Sequence, residues 1–124
     1  MTPTAFAREL AAALAASLPE GFTATAEDEY VTIESPDGLG STTALNIDPE
    51  EADDPDAYAD AAEGVLSLAQ DVVSETTGTP WPPTTGPNLD LAIPGARADG
   101  GVVHLWYGDE DSPMLRLREI RLAS

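Results

Sequence analysis

Between Pro55 and Thr77 the apolar positions recur with a helical period, and the rest of the chain is read around that stretch. At 100° per residue, Tyr58, Ala62, Val65, Ala69, Val72 and Thr76 fall within about 40° of one line. Ala61, Leu66, Leu68 and Val73 flank it. Asp60, Glu63, Ser67, Gln70, Asp71, Ser74 and Glu75 fill the far side. The pattern predicts an amphipathic helix over Pro55–Thr77. Asp54 suits the N-cap, and Pro55 suits the first helical position, where a missing N–H costs nothing. Asp56 places negative charge at the positive end of the helix dipole. Gly78 suits a left-handed C-cap, and Pro80 bars continuation. Such a helix needs a partner surface for its stripe, and a sheet is expected.

A first helix is predicted over residues 3–18. Phe6, Leu10 and Leu14 recur every four residues, Thr2 or Thr4 supplies the cap, and Pro19-Glu20-Gly21 ends it. Three strands follow. Phe22–Ala26 sets Phe22, Ala24 and Ala26 against Thr23 and Thr25. Tyr30–Glu34 sets Val31 and Ile33 against Tyr30, Thr32 and Glu34. Ser41–Asp48 sets Thr43, Leu45 and Ile47 against Thr42, Ala44 and Asn46. The turn between the last two is Ser35-Pro36-Asp37-Gly38, where Pro presets φ and Gly permits φ > 0. The result is a β-meander with one dry and one wet face.

Beyond Gly78, Thr79–Pro87 is rich in proline and reads as an extended connection in which Trp81 covers a core edge. Asn88–Ile93 is expected to be a strand with Leu89, Leu91 and Ile93 inward and Ala92 outward. Pro94–Gly101 is expected to be a turn region. Val102–Tyr107 is apolar on both faces except at His104, the mark of a central strand. Met114–Leu122 begins with Leu115 and Leu117 on one face and ends with Ile120 and Leu122 on the other. That phase slip predicts a β-bulge near Arg118 or Glu119. The element order is α-β-β-β-α-β-β-β. It predicts an α+β fold with two helices packed on one face of a mainly antiparallel sheet, as a single domain over residues 1–124.

Charge changes the picture of function more than of fold. The chain has 124 residues, 23 acidic and five basic, all five of them Arg, for a net charge of −18. A field of that sign repels nucleic acid and anionic membranes. With no Cys, disulfides, thiol catalysis and Cys-based zinc sites are excluded. No apolar run is long enough for a membrane span, and Pro3 and Glu9 sit poorly in a signal peptide, so a cytoplasmic protein is expected.

Candidate chemistry is sparse. Residues 48–56 hold six carboxylates but no Gly, so they do not match a calcium loop. His104 has no Ser or Cys pattern beside it that would make it a base. No serine-elbow, zinc-protease or phosphate-cradling motif occurs. Neither a catalytic residue, a metal nor a cofactor is expected. The local anomaly is Arg116, Arg118 and Arg121, three of the five bases within the last nine residues. They are expected to pair with Asp109, Glu110, Asp111 or the 48–56 loop. Otherwise they form a docking strip for an acidic peptide or anion.

Candidate binding residues are therefore Trp81, Trp106 and Tyr107, expected to be exposed, with Arg116, Arg118 and Arg121. The element order resembles that of secretion-chaperone-like folds. The resemblance is one of fold, transfers no residue, and implies a non-enzymatic protein-binding role. Two other readings stand beside it. One is an acidic inhibitor or nucleic-acid mimic of a basic enzyme. The other is a small-ligand enzyme.

Overall fold

Thr2 starts the first helix: its hydroxyl accepts from the Ala5 N–H at 3.1 Å, and Pro3 takes the first helical position. This helix, α1 (Pro3–Ala15), ends three residues short of the expected boundary. A computed structural model of the chain describes residues 1–83 and 92–122. Phe6, Leu10 and Leu14 are fully buried. Phe6 meets the ring of Tyr58 edge-on, with centroids 4.9 Å apart.

The meander forms as expected. β1 (Thr23–Glu27), β2 (Tyr30–Glu34) and β3 (Gly40–Ala44) make an antiparallel sheet in the order β1-β2-β3. Ala24 faces Ile33 and Val31 faces Thr43 across the ladder, which sets Val31 and Ile33 into the core. β3 is shorter than its alternation implies. Asn46 adopts φ 56°, which takes the chain out of extended geometry, yet Leu45 and Ile47 still turn inward and are buried.

α2 (Pro55–Thr77) matches its sequence pattern at both ends. The Asp54 carboxylate accepts from the Asp56 N–H at 3.0 Å, and Gly78 caps the C-terminus at φ 73°. Its buried arc is wider than the pattern implies. Ala59, Leu66 and Gln70 join Tyr58, Ala62, Val65, Ala69, Val72 and Val73, whereas Thr76 is exposed. On a helical wheel this arc spans about 160°. Gln70, assigned to the wet side by the pattern, is buried and donates its side-chain N–H to the Ala92 carbonyl.

The physical cause is a second sheet. The strands after α2 do not extend the first sheet. β4 (Pro94–Asp99), β5 (Val102–Gly108), β6 (Pro113–Arg116) and β7 (Ile120–Arg121) form an antiparallel sheet of their own. β5 lies between β4 and the β6/β7 strand. α1 packs on β1 and β2, while α2 packs on β4 and β5 and also reaches β2 and β3. The α+β class and the element order stand, with the strands shared between two sheets rather than one.

β4 corrects two expectations. Pro94–Asp99, expected to be a turn region, is a strand, and the turn contracts to Gly100-Gly101 at φ 60° and 78°. Ala92 is buried and Ile93 is 74% exposed, the reverse of the expected phase. Leu89 and Leu91 of the expected strand, and residues 84–87 of the expected connection, lie outside the described residues. Gly95 in β4 has a packing cause. It faces Trp106 of β5, and a Cβ there would lie 2.5 Å from the indole Cε2.

The expected bulge is present. Trp106 faces Arg116 and Val103 faces Ile120. Two residues of β5, His104 and Leu105, therefore oppose three, Leu117, Arg118 and Glu119. The extra residue lets both Leu117 and Ile120 reach the core. No helix among the described residues is long and apolar enough to cross a membrane.

Three substitutions test this packing. Val65 is 1% exposed, and Val65→Asp places an unpaired charge in the core. The cost of several kcal/mol compares with a total stability of about 5–15 kcal/mol, so this variant is expected to be unfolded. Asp71→Ala, on the exposed side, is expected to change stability by less than about 0.5 kcal/mol, measured by urea unfolding. Gly95→Val is expected to displace the Trp106 ring and destabilise by about 1–3 kcal/mol, seen as a lower urea midpoint with an unchanged slope.

Candidate functional site

The central strand β5 alternates two kinds of side chain. Val103, Leu105 and Tyr107 point into the core, while His104 and Trp106 lie on the outer face. Tyr107 is fully buried. Its hydroxyl donates to the Leu66 carbonyl of α2 at 2.6 Å, and burial, reinforced by Asp71, pushes its pKa well above the ordinary phenol value. Trp81 packs edge-on against Tyr107, with centroids 5.1 Å apart. Trp106 covers Gly95. The expectation of exposed aromatics is thus corrected, since Trp81 is 7%, Trp106 8% and Tyr107 0% exposed, while the expectation that Trp81 covers a core edge is met. These rings are used by the core and by the sheet's own outer surface, because Gly95 leaves an indole-sized space and Tyr107 offers an edge to Trp81.

The arginines are gathered on the second sheet. Arg97 of β4, unremarked in the sequence, makes the tightest ion pair, with Nη2 2.7 Å from Glu110 and Nε donating to the same carboxylate at 2.9 Å. It also reaches Asp99 at 3.3 Å. Arg116 donates to the Glu110 backbone carbonyl at 2.7 Å rather than to a carboxylate. Arg118 meets Glu9 of α1 at 3.6 Å, and His104 meets Glu119 at 3.6 Å. Among the described residues Arg121 makes no ion pair, and none of these arginines reaches the 48–56 loop. Hydrogen bonding to Arg97 holds the Glu110 carboxyl below its usual range, with Arg116 and His104 acting in the same direction.

The opposite charge occupies the rest of the chain. Between Glu9 and Ala96 lie 18 of the 23 acidic residues and no Lys, Arg or His. Sixteen of these acids, Glu20 to Glu75, lie in the first sheet, α2 and the segments leading to them; Glu9 lies on α1, and Asp90 is outside the described residues. The 48–56 run contains a 3₁₀ turn, Pro49–Glu51, that delivers the chain to α2. Tyr58 is anchored beneath it, donating to the Ala52 carbonyl at 2.7 Å. Burial, with Asp53 and Glu29 nearby, raises the Tyr58 pKa. Among the described residues no three acidic or histidine side chains are placed to hold a metal ion.

Within this acidic region a groove of about 360 Å³ opens between the β2–β3 turn and the last turns of α2. Ser35, Asp37 and Leu39 line one side, and Val72, Glu75 and Thr76 the other. The turn is closed by the Gly38 N–H on the Ser35 carbonyl at 3.0 Å and the Ser35 N–H on the Leu39 carbonyl at 2.7 Å. Ser35 is 5% exposed, and its hydroxyl has no hydrogen-bond partner. Sequence reasoning took Ser35 only as a turn residue. Its signal, a polar turn facing the end of an amphipathic helix, becomes visible only once the sheet and α2 are brought together.

The Arg97–Glu110 pair gives a pH test. A carboxyl whose pKa is lower folded than unfolded adds stability above its unfolded pKa, and that stability is lost as pH falls through the folded value. Glu110→Gln is therefore expected to lower the urea midpoint at pH 7, and the difference from wild type is expected to shrink as pH falls through the carboxylate range. No family model, curated protein or solved structure matches this chain.

Proposed function

We propose that the protein is a non-catalytic binding module whose partner is a basic protein. One observation carries this: sixteen acids from Glu20 to Glu75, with no base among them, lie in the first sheet, α2 and the segments leading to them, while four of the five arginines lie along the second sheet. Separation of charge on this scale makes one side of the molecule an attractor for cationic surfaces. It raises association rates and sets specificity more than it adds contact energy. The same field disfavours nucleic acid and anionic membranes. A cytoplasmic location belongs to this reading.

A chaperone-like grip through exposed aromatics has less support, because Trp81, Trp106 and Tyr107 are buried. The acidic-inhibitor reading is the special case in which the basic partner is an enzyme. The carboxylates of residues 48–56 favour it, since they stand on an exposed turn.

Affinity capture from native lysate at 50 and 500 mM NaCl tests the proposal. Partners of positive net charge are expected at low salt, with affinity falling at least tenfold at high salt as the acidic field is screened. Partners of negative net charge, or an affinity that stays flat across this range, overturn it.

A further inference from the structure

We infer that the free edge of β3 takes up an extended segment of the basic partner as an added strand. The inference rests on the binding role proposed above and assigns it a place.

β3 is an outer strand of the first sheet and pairs with β2 alone. The Leu45 N–H donates to the Glu29 carbonyl at 2.9 Å, and the Ser35 N–H donates to the Leu39 carbonyl at 2.7 Å. Bonded and non-bonded pairs alternate along an antiparallel ladder. Val31 with Thr43 and Ile33 with Ser41 are then the bonded pairs between those two. The backbone N–H and C=O groups of Gly40, Thr42 and Ala44 therefore point away from β2. Among the described residues no strand pairs with them. The Ala44 carbonyl accepts a long bond, 3.4 Å, from the neighbouring Thr43 hydroxyl.

Proteins guard open edges with charges, prolines and bulges, because an unguarded edge templates the addition of another strand. The other edges of this molecule follow that rule. β4 carries Pro94, Arg97 and Asp99, and the β6/β7 side carries Pro113, Arg116, Arg121 and the bulge. β1 ends on Glu27 and has α1 packed on it. β3 departs from it. Residues 38–47 contain neither a charge nor a proline, in a chain where 23% of residues are charged.

The edge opens onto α2. One hollow of about 360 Å³ lies between Leu39 and Val72, and a second of about 230 Å³ lies between Leu45 and Ala61. Leu39 and Leu45 are six residues apart, about 20 Å of extended chain. A strand laid on β3 thus sets its side chains i and i+6, which share a face, over the two hollows. In strand addition the main-chain bonds supply affinity and such hollows supply specificity. Charge selects the occupant. Asp37 and Glu75 stand at the first hollow, Glu51 and Asp60 at the second, and no base lines either. A second copy of this chain would bring the same acids and a net charge of −18 against them. The field instead suits a segment of the basic partner with Arg or Lys at i and i+6 and uncharged residues between.

The test uses a capped heptapeptide, Arg-Thr-Val-Thr-Val-Thr-Arg, titrated into the whole protein at 50 mM NaCl by calorimetry and followed by amide hydrogen exchange. The same peptide with Pro at its central position keeps the charge and cannot pair through its middle. The first peptide is expected to slow exchange at the Gly40, Thr42 and Ala44 amides at least fivefold and to leave the β1 amides unchanged. The proline peptide is expected to bind at least fivefold more weakly. Thr42→Pro removes an outward N–H and spares the ladder, and it is expected to weaken binding at least fivefold. If this variant also lowers the urea midpoint, the two peptides and the exchange pattern decide on the wild type. Equal affinity for the two peptides, no binding of the first, or no protection at residues 40, 42 and 44 overturns strand addition. The basic-partner reading then stands or falls on the salt-dependent capture alone. Protection of these amides in the free protein that rises with concentration, together with a doubled mass, overturns the inference in favour of a second copy.

Discussion

The structure depends on the width of one apolar arc. Nine buried residues of α2 cover close to half of its circumference, more than one sheet face needs. One flank of the arc meets the second sheet, where the Leu66 carbonyl accepts the Tyr107 hydroxyl and Gln70 holds the Ala92 carbonyl. The other flank reaches the first sheet at Val72, opposite Ser35. Tyr58 adds α1 through Phe6. Two sheets without a shared strand are joined because the same helix completes the core of both.

That arrangement also explains how so acidic a chain keeps a core. Carboxylates occupy the outer side of α2, the turns and the loop before α2, where water screens them, and the inner side of each element is almost wholly apolar. The few bases are placed with equal economy. Arg97, Arg116 and Arg121 lie on the outer face of the second sheet, where Glu110 is shared between the side chain of Arg97 and, through its carbonyl, Arg116. Internal neutralisation is concentrated there, so the first sheet and α2 keep their negative field.

Periodicity made most of the fold legible. Pro55–Thr77 declared its length, its caps and the centre of its inner face, and the slip between Leu117 and Ile120 declared the bulge. Each of these rests on local stereochemistry or on a repeat of apolar residues. What stayed hidden depends on partners distant in sequence. Gln70 looks solvent-facing until the Ala92 carbonyl arrives beside it. Pro94 and Gly95 look like a turn until Trp106 claims the space a side chain would fill. Trp106 looks like a free aromatic until its ring settles over Gly95. The candidate site was the least legible part, because a concave surface is a property of two elements meeting, and the Ser35 turn and the end of α2 are more than thirty residues apart.

The placement of the two indoles has a spectroscopic consequence. Trp81 rests on Tyr107 and Trp106 lies over Gly95, so both rings pack on the second sheet and the first contains no tryptophan. Intrinsic fluorescence therefore reports on one half of the molecule, while far-ultraviolet dichroism, dominated by α2 and α1, reports on what binds the halves together. The chain carries its own pair of separable probes for whether the two sheets melt as one cooperative unit.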